Sequence, residues 1–391
     1  MARAAARRAR AYWAIAPFAG EIRSCRLPAP KPGEVLVETL YSAISRGTEA
    51  LVCAGRVPRD QYESMRCPFQ EGNFPFPVKY GYSNVGRVVE GPEELVGRLV
   101  FTLFPHQTRF IVPAEAVHPL PAGLPPERAV LAAAMETALN GLWDASPRPG
   151  ERMLVVGAGV VGTLAAWLAC RIPGIELQLV DIDVGRGLLL QRLGLPFAPP
   201  EEIVGEADLV LHASGAPEAL ARALSWLGLE GRVIELSWYG DALVPLPLGS
   251  AFHSRRLTLR SSQVGHVAPA MRPRWDRRRR MAKALELLAD PALDALITGE
   301  SRFEELPRVL PQLARAPRGT LCHRIVYDSG TAASPPAAAR SRTTGKSGVS
   351  ARSSTPAGGG LSEASRRSNS RAGSSPGITT SGGAGQKPKR A

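Results

Sequence analysis

The stretch Leu154–Gly162, LVVGAGVVG, constrains the fold of this chain more than any other. An apolar run that reads as a strand ends in GxGxxG, and a run that reads as a helix starts there. Each glycine has its own reason. Gly157 allows a tight turn, Gly159 lets the backbone approach a pyrophosphate, and Gly162 lets helix and strand pack closely. The helix that follows points its first N–H groups and the positive end of its dipole at the phosphates. Further on, a second strand, LQLVD, ends in Asp181, placed to accept from an adenosine ribose 2′-hydroxyl and to repel a 2′-phosphate. Gly157, Gly159, Val161, Gly162 and Asp181 are therefore candidate cofactor-binding residues. NAD(H) is expected in preference to NADP(H), because no Lys or Arg directly follows Asp181. Arg186 is expected near the adenine or in solvent. A Gly-rich turn that binds nothing is the plain alternative.

The motif also explains a false membrane signal. Met153–Cys170 is a run of 18 uncharged residues, long enough to suggest a span. One strand, one glycine turn and one helix account for it, so no span is expected.

The run belongs to a segment, residues 124–269, in which strands and helices alternate. Strands are expected at Arg152–Val156, Glu176–Val180, Leu209–His212 and Arg232–Leu236, with helices starting at Val160, Gly185 and Pro217. A further helix is expected over Glu127–Trp143. Such alternation indicates βαβ units in a parallel sheet covered on both faces. Ser214 and Ser237 follow two of the strands, where a ligand of a parallel sheet would pass, and each equally suits a turn. Residues 11–123 differ, with short apolar runs between Pro/Gly punctuation, the pattern of a small barrel or sandwich. Arg59–Pro77 reads as a long surface or lid loop. Residues 270–328 hold two helices (Arg277–Ala289 and Phe303–Ala314) and a closing strand, Cys322–Tyr327.

Net charge refines this outline. The 391 residues carry a formal +13, which by itself suggests a polyanionic partner. The charge is at the ends: residues 1–10 carry four Arg and no acid, and residues 329–391 carry ten Lys/Arg and one acid. The part between them is neutral. The Ser-rich C-terminal segment has too little apolar surface to offset its chain entropy and is expected to be disordered. Neither tail interleaves aromatics with its charge, so nucleic acid is expected to bind only weakly, through charge alone. The first ten residues lack the apolar core of a secretory signal and are read as a basic tail. Five scattered cysteines, without CxxC, suit a reducing compartment, and the cytoplasm is expected.

The order of segments and the motifs EVLVETLYSAISRGTE, KYGYSNVGRVVEG, METALNGL and VVGAGVVG with Asp181 resemble the medium-chain dehydrogenase/reductase superfamily, over residues 11–328. The resemblance implies an α/β chain made of a GroES-like β-barrel domain (11–123, with 270–328 returning to it) and a Rossmann doubly wound parallel sheet (124–269). It also implies an active site between them, a small-molecule substrate, a homodimer or tetramer, and Thr137 of METALNGL beside the cofactor. Zinc members of that superfamily have a Cys where Ser45 stands, a His-Glu pair at Tyr82-Ser83, and a third ligand, usually Cys, near Ala133. None of these positions supplies a zinc donor here, so zinc is not expected and the likeness is to a zinc-free branch. SRGTE and GYSNVG are locally similar to bacteriochlorophyllide dehydrogenases, which oxidise a hydroxyethyl group on a chlorin ring.

Hydride transfer without a metal needs another proton donor or electrophile. The resemblance makes Tyr82 the candidate proton donor and acceptor, with Thr48 in a relay and Glu49 orienting both. A tyrosine packed in the barrel with its hydroxyl satisfied is the alternative. His106 in LFPHQTRF is a second acid/base candidate or a surface histidine, whereas His212 reads as a packed strand residue. The cluster Arg272–Arg280 suits either an anionic substrate or a solvated helix start. The activity expected is hydride transfer between nicotinamide and an alcohol, ketone or activated alkene. A hydroxyethyl-chlorin dehydrogenase and a non-catalytic NAD(H) sensor with polyanion-binding tails are the alternatives.

Overall fold

The computed structural model describes residues 7–316 and 319–328. The 329–391 tail lies outside the described residues. From the N-terminus the chain forms β1 (Arg8–Ala16), β2 (Ala19–Arg26), β3 (Glu34–Ile44), α1 (Thr48–Cys53), β4 (Glu71–Gly72), β5 (Val78–Lys79), β6 (Asn84–Glu90), β7 (Leu99–Thr102), β8 (Arg109–Pro113) and β9 (Val117–Pro119). Next come α2 (Pro126–Ala129), α3 (Ala132–Ala145), β10 (Arg152–Val156), α4 (Val160–Ala169), β11 (Glu176–Val180), α5 (Gly187–Arg192), β12 (Phe197–Ala198), β13 (Ala207–His212), α6 (Pro217–Ser225), β14 (Leu227–Glu235) and β15 (Thr258–Ser261). The last elements are α7 (Arg277–Leu287), β16 (Ile297–Arg302), α8 (Leu306–Arg315) and β17 (Cys322–Val326).

Three sheets result. The central one is parallel throughout, in the order β12-β11-β10-β13-β14-β15. It has six strands where four were expected, because the two short edge strands β12 and β15 lack long apolar runs. Strand β10 shows why its sequence is continuously apolar. Met153 and Val155 pack on one side with Met135, Leu164 and Met281, while Leu154 and Val156 pack on the other with Leu220 and Leu224. Successive side chains point to opposite faces, so a strand covered on both sides must be apolar at every position.

The other two sheets come mainly from the N-terminal β segment. One runs β2-β1-β5-β4, and the other runs β16-β17-β3-β6-β7-β9 with β8 also paired to β3. The closing strand β17 pairs antiparallel with β3, so the C-terminal segment completes the N-terminal β structure. Val35, Val37, Val88, Val100, Phe104 and Phe110 form its interior.

Four expectations change. Arg8–Arg10, read as part of a basic tail, belongs to β1, and Arg10 pairs with Glu304 at 2.6 Å. The helix expected over Glu127–Trp143 is two helices, α2 and α3, broken around Val130-Leu131. The Arg59–Pro77 segment is anchored rather than free as a lid, since Cys67 and Phe74 are buried in the cluster that includes Tyr12 and Tyr80. Most consequentially, the cluster at 272–280 divides: five of its six arginines are exposed, as a solvated helix start would have them, and Arg280 is buried and holds the fold. Arg280 is 1% exposed, with Nε 3.0 Å from Glu136 Oε1 and Nη1 donating to Asn140 Oδ1 at 2.6 Å. Arg272 donates to the Val267 carbonyl, Arg278 to the Glu115 carbonyl, and Arg279 lies over the Trp275 ring. Asp276 caps α7 by accepting from Arg279 N–H at 2.7 Å, which offsets the unfavourable position of four arginines at a helix start.

Removing one member of a buried ion pair leaves an uncompensated charge. Arg280→Ala is therefore expected to lower stability by about 3–5 kcal/mol. Arg279→Ala should cost about 1 kcal/mol or less. Urea denaturation of both variants checks the contrast.

Candidate active site

The Gly-rich turn behaves as its sequence requires. Gly157 has φ +105°, and a Cβ there would lie 2.6 Å from Ser214 N. A Cβ on Gly162 would lie 1.9 Å from Gly157 O, so nothing larger than hydrogen fits between α4 and the turn. A Cβ on Gly159 would meet nothing within 4 Å. The second glycine thus faces open space, which is the cradle a pyrophosphate needs, at the start of a ten-residue helix. Val161 lies in the first turn of α4.

Asp181 follows β11 and closes the same turn. Its Oδ2 accepts from Ala158 N–H at 2.7 Å, and its Oδ1 from Asp183 N–H at 2.8 Å. Arg186 is neither solvated nor free. Its Nη1 is 3.0 Å from Asp181 Oδ2, and its Nε is 3.2 Å from Asp183 Oδ2. On the opposite side of the sheet order, Ser214 and Ser237 follow β13 and β14. Ser237 Oγ accepts from Gly215 N–H at 3.0 Å, tying the two loops together. Thr137 is half-buried on α3, and its hydroxyl donates to the Ala133 carbonyl at 2.9 Å.

The β side supplies the acid–base candidates. Ser45 and Thr48 lie at the start of α1, just after β3, and Tyr82 just before β6. Tyr82 donates to Ser45 Oγ at 2.5 Å. Burial pushes the Tyr82 phenol up to about 12, against hydrogen bonds with Ser45 and Thr48 that act to lower it. That direction keeps Tyr82 a neutral hydroxyl near neutral pH.

Behind this hydroxyl pair lies a sealed polar chain. Glu49 is 3% exposed and His106 1% exposed, with His106 Nε2 2.9 Å from Glu49 Oε2. His106 Nδ1 is 2.7 Å from Ser42 Oγ, which is 2.9 Å from the Tyr327 hydroxyl. The other Glu49 oxygen accepts from Ser45 N–H at 2.8 Å. With hydrogen on Nε2, every member is satisfied: Tyr327 donates to Ser42, Ser42 to Nδ1, and Nε2 to the carboxylate. His106 is thus neither a surface histidine nor a group that faces the cleft, and its two nitrogens are taken. It braces Glu49, which in turn holds the backbone of Ser45.

The two halves meet beyond β14. Arg56 Nε is 2.7 Å from Asp241 Oδ1, and Gly240, at φ +62°, lies against the Arg56 carbonyl and Leu51. Arg46, beside Ser45, donates to the Thr320 carbonyl and feels the charges of Arg186, Asp181 and Asp183. The residues at the zinc positions do not fit that metal: Ser45 and Tyr82 bond each other, Ser83 Oγ donates to the Val130 carbonyl, and Ala133 has no donor atom. Among the described residues there is no cluster of three His, Cys, Asp or Glu side chains suited to a metal ion.

Sequence reasoning missed Ser42, Tyr327 and Glu235, while His212 is the packed strand residue it was expected to be. Glu235 stands opposite His212 in the parallel register of β13 and β14, and a carboxylate closing the apolar run VIE was the available signal.

No family model matches the chain. In sequence it is 26% identical over 229 residues to an uncharacterized zinc-type alcohol dehydrogenase-like protein of Haemophilus influenzae, covering 55% of this chain and 63% of that one. It is 28% identical over 233 residues to the 2-desacetyl-2-hydroxyethyl bacteriochlorophyllide A dehydrogenase of Rhodobacter capsulatus, covering 54% and 68%. The matched stretch thus spans about two thirds of these relatives' lengths. In structure it matches a short chain alcohol dehydrogenase of Escherichia coli complexed with NADH, with TM-score 0.66 and 14% identity over 82% of this chain and 99% of that one. The fold is that of the medium-chain dehydrogenases/reductases, a GroES-like β part with a Rossmann sheet. Both sequence relatives are named as dehydrogenases or dehydrogenase-like proteins. No helix among the described residues is long and apolar enough to cross a membrane.

The glycine contacts separate packing from binding. Gly162→Ala should lower stability by about 1–3 kcal/mol through overpacking. Gly159→Ala should stay within about 0.5 kcal/mol of the parent. Thermal or urea denaturation of the pair checks this.

Proposed function

We propose that this chain is a nicotinamide-dependent oxidoreductase that acts on an alcohol or the corresponding ketone without catalytic zinc. The observation that carries the reading is the open face of Gly159 between the two packed glycines, Gly157 and Gly162. The dinucleotide would be held by that turn, with Asp181 at the adenosine ribose and Ser214 and Ser237 on the other side. NAD(H) is favoured over NADP(H), because an acid, Asp181, stands where a 2′-phosphate would fall, and Arg186 beside it is already paired with Asp181 and Asp183. Bound nicotinamide supplies the hydride acceptor or donor.

The protein's own task is to manage the substrate's proton. In ketone reduction the developing alkoxide needs a proton donor; the Tyr82 hydroxyl, which donates to Ser45 Oγ in the absence of substrate, would turn to the alkoxide and give it that proton. Ser45, with Thr48 beside it, would then return a proton from solvent to the phenolate, and alcohol oxidation would run the same path in reverse. Glu49 and His106 hold Ser45 in place through its N–H and take no proton from substrate themselves. Five free cysteines suit a reducing compartment, and the cytoplasm is the location we assign.

A hydroxyethyl-chlorin alcohol is the second reading. It is favoured by the Rhodobacter relative, whose name specifies such a substrate.

NADH titration followed by nicotinamide fluorescence should give saturable binding to the parent protein, tighter than NADPH. Gly159→Ala should lose about tenfold or more in affinity while remaining folded. A parent protein that is folded and binds no NADH overturns the reading. In turnover with any accepted alcohol, Tyr82→Phe should lower kcat by about 10²–10⁴-fold with NADH affinity unchanged. Unchanged kcat would remove Tyr82 from the chemistry.

A further inference from the structure

A second buried His–Glu pair lies at the carboxyl edge of the parallel sheet, separate from the one that braces Ser45. His212, with no exposure, ends β13, and Glu235 is its register partner on β14. Glu235 Oε2 is 2.7 Å from His212 Nδ1. The same carboxylate accepts from Ser237 N–H at 2.6 Å and from the Tyr239 hydroxyl at 2.9 Å. The carboxylate acts here as an acceptor, and its closeness to Nδ1 places the ring hydrogen there. His212 Nε2 is then an acceptor, and Ser214 Oγ lies 2.9 Å from it.

The consequence falls on Ser214, which is exposed. Its hydrogen is committed to His212 Nε2. One of its lone pairs accepts from Ala216 N–H at 3.1 Å. What remains facing outward is a single lone pair, so Ser214 presents an acceptor and no donor. An acceptor of this kind repels phosphate oxygens and takes a hydroxyl.

Its position selects which hydroxyl. Ser214 touches the first glycine of the phosphate turn, and β13 lies on the side of β10 opposite to β11 and Asp181. A dinucleotide with its adenosine at Asp181 therefore brings its other ribose to Ser214. We propose that His212 and Glu235 are positioning residues that fix Ser214 as a hydrogen-bond acceptor for a hydroxyl of the nicotinamide-side ribose. This rests on the dinucleotide reading above. Neither His212 nor Glu235 touches the ligand, and the effect passes through the direction of one serine hydrogen.

The test compares NADH with ADP, which lacks the nicotinamide riboside, by calorimetry on the full chain. Ser214→Ala should weaken NADH by about fivefold or more, the net worth of one hydrogen bond, and leave ADP within about twofold. Ser214→Thr should restore NADH binding. His212→Asn keeps a donor for Glu235 but cannot hold Ser214. It should weaken NADH as Ser214→Ala does, and the double variant should lose no more than either single one. Three results would overturn the proposal: NADH affinity unchanged in Ser214→Ala, ADP and NADH weakened alike in His212→Asn, or additive losses in the double variant. In each of these the parent still binds both ligands, so the dinucleotide reading stands. A folded parent that binds neither ligand overturns that reading and this proposal together.

Discussion

Among the described glycines, Gly162 leaves the least room for a side chain, since a Cβ there would lie 1.9 Å from the Gly157 carbonyl oxygen, and the Gly-rich edge of the parallel sheet is built on that packing. With no side chain between them, α4 sits directly over the end of β10 and its first N–H groups open onto the turn. Gly157 in turn lies against Ser214, so the same contact fixes the edge of β13. Asp181 closes the turn from β11 by accepting from Ala158 N–H. Three strands are thereby brought to a common edge with one open face, at Gly159. A site of this kind is built from close packing and backbone hydrogen bonds, and it needs few specific side chains.

The β side works by a different constraint, burial of a carboxylate. Glu49 is taken out of water next to His106 and offers one oxygen to the ring and one to the backbone of Ser45. A buried carboxylate costs several kcal/mol unless its oxygens are satisfied, so the loop carrying Ser45 and Thr48 has little freedom to move. A second buried His–Glu pair lies on the parallel sheet, where Glu235 bonds His212 and the His212 ring bonds the Ser214 hydroxyl. In both places a His–Glu pair with almost no exposure aims a serine that is more open to solvent. The serine hydroxyls proposed to act on substrate and cofactor are thus held from behind by buried groups.

Much of the cofactor side was legible in the sequence because its determinants are local. A strand, three glycines and a helix occupy consecutive residues, and Asp181 ends the next strand. The short edge strands β12 and β15 were not legible, since two or four residues carry no period. The polar chains were hidden for another reason. Ser42, His106 and Tyr327 come from three distant segments, and only the pairing of β17 with β3 brings Tyr327 to Ser42. His106 looked like a surface residue because Pro105, Gln107 and Thr108 flank it, yet its ring fills the gap between Glu49 and Ser42. The arginines at 272–280 suited either an anion site or a solvated helix start; most are exposed, as the second has it, and what the sequence hid was Arg280, buried against Glu136.

The central claim is that one dinucleotide lies across the carboxyl edge of the parallel sheet with its reactive end toward Tyr82. A crystal structure of the chain with NADH tests this most directly. The account predicts the pyrophosphate against Gly159, the adenosine ribose on Asp181, the second ribose at Ser214, and the nicotinamide ring facing the Tyr82 hydroxyl. A dinucleotide bound in the reverse direction, or one whose nicotinamide lies away from Tyr82, would contradict it.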